Sequence, residues 1–68
     1  MANTKSKIGG RSLRRVRRLV RLLEIASDAQ EALAVTYHGL GWRQAAFCAE
    51  LDAESLRQKA KKYAKEAA

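Results

Sequence analysis

A chain of 68 residues forms one small domain at most, and a domain of that size buries only a modest share of its surface, so a partner or a second copy is expected to contribute to its stability. Hydrophobic residues make up 47% and charged residues 31%, there is no proline, and the strong helix formers Ala, Leu, Arg, Lys, Glu and Gln dominate; an all-α chain follows. The formal charge of +7 disfavours a small anionic substrate, which needs only one or two fixed cations, and favours a polyanion.

The charge comes in blocks. Residues 1–21 carry two lysines and six arginines without an acid; residues 22–56 set Arg43 against Glu24, Asp28, Glu31, Glu50, Asp52 and Glu54; residues 57–68 are basic again. Nucleic acid is the leading partner for such a polarised chain, and an anionic membrane surface is second. Cys48 is the sole cysteine, which excludes an intramolecular disulfide and a multi-cysteine zinc site. No apolar run reaches the length of a membrane span, since Arg21 separates Leu19-Val20 from Leu22-Leu23. A cytoplasmic setting, nucleoid-associated in a bacterial cell, is the expectation, with no membrane partner.

Taken in chain order, residues 1–10 have the composition of a flexible basic tail, and residues 11–68 read as a single helical domain. From Ser12 onward Leu13, Val16, Leu19, Val20 and Leu23 fall on one helical arc, while Arg11, Arg14, Arg15, Arg17, Arg18 and Arg21 occupy the rest. That arginine face suits a secondary nucleic-acid contact, to RNA or to a second stretch of DNA phosphate; it equally suits a packed helix whose outer side is solvated. Ser27 or Asp28, with Gln30 or Glu31 three residues on, reads as a capping box that opens a second helix. Gly39 followed by Leu40 reads as its stop, and Gly41 ends the joint. A third helix is expected over 42–49, with Ala45, Ala46 and Ala49 permitting close approach of a neighbour. Asp52 then caps a fourth, in which Leu56, Ala60, Tyr63 and Ala67 mark a buried side. The expected architecture is a small bundle of about four helices.

Several residues have structural readings alone. Trp42 reads as an apolar anchor at a helix start, Cys48 as a small core residue, Tyr37 as packed, and His38 as a partner for helix C-terminal carbonyls. No carboxylate pair, Ser/His/Asp set or phosphate-cradling glycine loop is present, so neither an enzyme nor a cofactor or metal is expected.

Residues 41–63, "GWRQAAFCAELDAESLRQKAKKY", resemble the C-terminal helix-turn-helix of the Fis (factor for inversion stimulation) family. The resemblance rests on Ala45-Ala46 where the family's helices cross, Ser55-Leu56 where a hydroxyl residue precedes the core leucine, and Lys61-Lys62-Tyr63 at the end of the second helix. It implies a helix-turn-helix over 42–66 whose recognition helix, about 53–66, enters the major groove of double-stranded DNA. The implied contacts are Ser55 and Gln58 near base edges, with Arg43, Gln44, Arg57, Lys59, Lys61 and Lys62 as the remaining DNA-binding set. On this reading the chain is a sequence-preferring DNA-binding protein, a small transcriptional regulator or nucleoid-architectural factor. A homodimer formed through the N-terminal half would bind half-sites about one helical turn apart. Two alternatives stand beside it: an RNA-binding adaptor using the arginine-rich helix 11–21, and a helical protein–protein interaction or inhibitor protein.

Overall fold

A computed structural model describes the backbone of residues 10–67 and side chains from Leu13 onward. The expected tail over 1–10 lies outside the described residues except for Gly10, and the side chain of Arg11 lies outside them too. Two helices, α1 (Gly10–Gly39) and α2 (Arg43–Ala67), fold back on each other as an antiparallel hairpin.

The hairpin follows from one repeat. Along α1, Val16, Val20, Leu23, Ser27, Gln30, Ala34 and Tyr37 recur at alternating steps of four and three residues. Along α2, Ala46, Ala49, Ala53, Leu56, Ala60, Tyr63 and Ala67 do the same, and every one of these positions is buried or half-buried. Such spacing keeps one seam per helix facing its partner, as in a coiled coil. The fully buried positions are Ala34, Ala46, Ala49, Ala53 and Ala60, together with Ser27. Small side chains bring the backbones close; the larger apolar residues Leu19, Leu22, Ile25, Leu33, Phe47 and Leu51 are left outside.

The four-helix bundle is therefore corrected to two helices, because the seam runs without interruption through both expected breaks. Ser27 is no N-cap: its side chain is 2% exposed, and its hydroxyl donates to the carbonyl of Ala53 on the facing helix at 3.0 Å. That bond satisfies the one buried side-chain polar group of the seam. Asp28 and Asp52 are exposed residues within helices. The helix-turn-helix is corrected with them. Residues 43–67 are one unbroken helix, and among the described residues none other than glycine has positive φ, so the Fis-like pattern builds no turn and no separate recognition helix in this chain.

The helix end at Gly39 and the joint through Gly41 stand where the sequence places them, but the residue that makes the stop is Gly41, not Gly39. Gly41, with φ of 80°, supplies the left-handed residue that ends α1. Its amide donates to the carbonyl of His38 at 3.0 Å and that of Trp42 to the carbonyl of Tyr37 at 2.9 Å, the paired bonds of a Schellman stop. The apolar contact that accompanies this stop is Trp42 stacked on Tyr37, with ring centroids 5.9 Å apart. Trp42 is otherwise exposed. Cys48, expected in the core, is exposed as well, and His38 Nε2 meets Glu50 Oε2 at 2.9 Å rather than a helix carbonyl.

The result is a rod of 51 × 17 × 14 Å whose radius of gyration is 15.5 Å. A compact domain of this length would measure about 11 Å. Among the described residues these two helices pack only on each other, and most of their charged side chains are exposed.

The two turn glycines separate in effect. A Cβ at either meets no atom within 4 Å, so only backbone conformation counts. Gly41→Ala places alanine in the left-handed region and is expected to destabilise the hairpin by about 1–2 kcal/mol. Gly39→Ala, in right-handed helix, is expected to stabilise it by up to about 1 kcal/mol. Urea unfolding monitored by circular dichroism checks both signs; equal effects would contradict the assignment of the stop to Gly41.

Candidate nucleic-acid interface

Residues at equal distance from the turn lie level in an antiparallel hairpin. Residue 16 is thus beside 67, residue 21 beside 62, and residue 27 beside 56. This folding rearranges the charge blocks of the sequence. The basic start of α1 and the basic end of α2, far apart in the chain, come to the same end of the rod, with Glu66 among them; the other six acids run from Glu24 toward the turn, and Tyr37 and Trp42 stack at the turn end.

At the basic end Arg14, Arg15, Arg17, Arg18 and Arg21 are all exposed, as are Lys59, Lys61, Lys62 and Lys65 on α2. Among the described residues none of these nine is held in an ion pair with an acid; the three ion pairs found involve His38 and Arg57 only. Lys62 lies 5.8 Å from the ring centre of Tyr63. The cations surround the end of the rod on several sides because the seam occupies only two of every seven positions.

The middle of the rod behaves differently. Arg57 donates to Glu31 on α1 and lies 3.6 Å from Glu54. Its pKa is raised above the ordinary arginine value, first by the hydrogen bond to Glu31 and then by that carboxylate's charge. Gln58, one residue along, donates its amide to Glu54 at 2.9 Å.

The sequence-derived DNA set is accordingly divided. Lys59, Lys61 and Lys62 sit with the arginine cluster. Arg57 and Gln58 are engaged by carboxylates in the middle of the rod. Arg43 and Gln44 open α2 at the opposite, turn end, while Ser55 is an exposed residue of the middle. No single helix face collects Arg43, Ser55 and Lys62 into one surface. The arginines of α1, a secondary contact on the sequence reading, become the larger part of the basic end. Lys65, absent from the expected set, belongs there too, level with Arg18; the antiparallel register places it, and a reading in four short helices concealed that.

Among the described residues no group of three or more His, Cys, Asp or Glu side chains could hold a metal ion, and no helix is long and apolar enough to cross a membrane. Comparison of the chain with family models, characterised proteins and solved structures finds no match.

Uncompensated cations one turn apart repel. Arg18 has Arg14, Arg15 and Arg21 at helical neighbour spacing, and each like-charged pair costs a few tenths of a kcal/mol. Arg18→Glu turns three repulsions into attractions, so it is expected to stabilise the hairpin by about 0.5–1 kcal/mol at low ionic strength. The gain should shrink in 1 M salt, where the Debye length is about 3 Å. Urea unfolding at the two ionic strengths checks this; a loss of stability at low salt would show that Arg18 has a partner inside the protein.

Proposed function

We propose that the chain binds the phosphate backbone of duplex DNA through the basic end of the hairpin, without reading base sequence. The observation that carries this is the convergence of five arginines and four lysines at one end of the rod, none held by an acid among the described residues, against one acid, Glu66, within 59–67 and none within 14–21. Repulsion of that size works against the fold, and a polyanion relieves it on binding while counterions are released from the nucleic acid.

Three features favour duplex backbone over other modes. Base readout in the major groove needs a helix that enters a space about 12 Å wide with free amide or guanidinium forks. Here Gln58 and Arg57 are occupied by Glu54 and Glu31, and the hairpin's smaller transverse dimensions are 17 and 14 Å. Single-strand binding relies on exposed aromatic platforms beside the cations, whereas the exposed Trp42 and Phe47 belong to the turn-proximal part of the rod. A cytoplasmic, nucleoid-associated role as a DNA-coating or architectural factor goes with this mode; no catalytic step is part of it.

Salt titration of affinity tests the proposal. For duplex DNA the slope of log K against log salt is about −0.9 per phosphate contact. Paired Arg14→Ala/Arg18→Ala and paired Lys61→Ala/Lys62→Ala variants should each reduce the slope by up to about two contacts' worth, equally on unrelated sequences. Arg43→Ala, Gln44→Ala and Gln58→Ala should leave affinity unchanged. Absence of duplex binding at low salt, or loss of binding through Arg43 and Gln44, would overturn the reading. A strong preference for structured RNA would transfer it to that polyanion.

A further inference from the structure

Among the described residues, one long apolar stripe of α1 has no partner. Leu19, Leu22, Ala26, Ala29, Leu33 and Thr36 recur at alternating steps of three and four residues, as the seam does, but on the flank of α1 beside it. Leu19, Leu22 and Leu33 are 40%, 51% and 41% exposed. The Thr36 hydroxyl donates back to the carbonyl of Ala32 at 3.0 Å, so its hydrogen is already used within the helix. The opposite flank of α1 carries Arg17, Glu24, Glu31 and His38 instead. A repeating stripe of this kind is the mark of a second helix–helix seam.

The geometry points to a second copy of this chain as the occupant, packed α1 against α1 in antiparallel orientation about a two-fold axis between Ala26 and Ala29. Three observations select that occupant. The stripe is self-complementary under the axis: Ala26 faces the partner's Ala29, Leu22 faces the partner's Leu33, and Leu19 faces the partner's Thr36. Small residues at the centre allow close approach and leucines close both sides, which is what an isologous contact requires. Charge selects the orientation. A parallel pair would superimpose two arginine blocks, whereas the antiparallel pair holds them about 30 Å apart at 1.5 Å rise per residue, well beyond the Debye length of ~8–10 Å. Finally, area is sufficient for a specific pair. Each hairpin buries only five alanines and one serine, and its leucines need cover to contribute. The stripe runs about 26 Å along a rod 17 Å broad, which places the pair near the ~1,000 Å² total at which specific association begins.

Cysteine crosslinking without nucleic acid tests this pairing independently of phosphate binding. In a Cys48→Ser background, Leu22→Cys and Leu33→Cys chains are purified separately, mixed and mildly oxidised. The mixed disulfide should form in clear excess over either like-with-like product, and sedimentation of the unmodified chain at tens of micromolar should give twice its mass. Both substitutions replace exposed leucines, so the seam is untouched, and circular dichroism confirms that the chains remain helical. Three results would overturn the inference. Preferential Leu22→Cys like-with-like product would mean parallel pairing, dimers of the unmodified chain that oxidise through Cys48 without the mixed product would mean pairing through α2, and a fully helical monomer would leave the stripe to a different protein.

Discussion

The rest of the structure depends on close contact between two helices along a seam of alanines. Five alanines and a serine are all that the described hairpin buries fully, so its helices meet by backbone proximity more than by side-chain interlock. Alanine loses no side-chain entropy on burial and has the highest helix propensity, and both properties favour two long, straight segments. Hydrophobic burial contributes roughly in proportion to area, however, and an alanine seam supplies little of it. A fold built this way is well specified in direction and weakly held, and it leaves Leu19, Leu22, Ile25, Leu33, Trp42 and Phe47 where another surface could use them.

The same seam decides what the charges do. In the linear chain the two basic blocks are separated by an acidic one, a pattern that suggests two independent contact regions. Folding at Gly41 superimposes the basic blocks, with Glu66 among them, and leaves Glu31 and Glu54 to hold Arg57 in the middle. The potential at the basic end therefore reflects both helices together. Removing any one cation there changes a cluster, which is why a slope against salt reports the interface better than a list of individual contacts.

The all-α class, the amphipathic start of α1 and the cationic end of α2 were legible in the residues. The element count was not, and the cause lies in particular side chains. Ser27 and Asp52 are good helix caps, but cap chemistry is local and cannot report that Ser27 finds its hydrogen-bond acceptor on Ala53, 26 residues away. The apolar arc that includes Leu19 merged two stripes, one facing α2 and one facing outward. Tracking steps of three and four residues from Val16 to Tyr37, with alanine and serine admitted as seam residues, would have separated them. Gly39 and Gly41 were both visible as stops, and only the backbone, with positive φ at Gly41, distinguishes them. Assigning Arg57 and Gln58 to DNA depended on a turn that the chain does not make.

The proposed pairing and the proposed phosphate binding place demands on different parts of one helix. The outward stripe of α1 is centred near Ala26 and Ala29, while its arginines lie at one end, so a two-fold contact at the centre leaves both arginine clusters accessible. In the dimer inferred here these clusters stand about 30 Å apart, close to the ~34 Å repeat of duplex DNA. On the proposed binding mode, non-specific affinity grows with the number of phosphates neutralised, so a second cluster would strengthen it. Joining two clusters through a rigid helix pair makes the second contact intramolecular and raises effective concentration without a new kind of contact. Antiparallel pairing adds little repulsion because the clusters stand farther apart than a Debye length, so the arrangement that covers the stripe is also the one that spaces the charges for a polyanion.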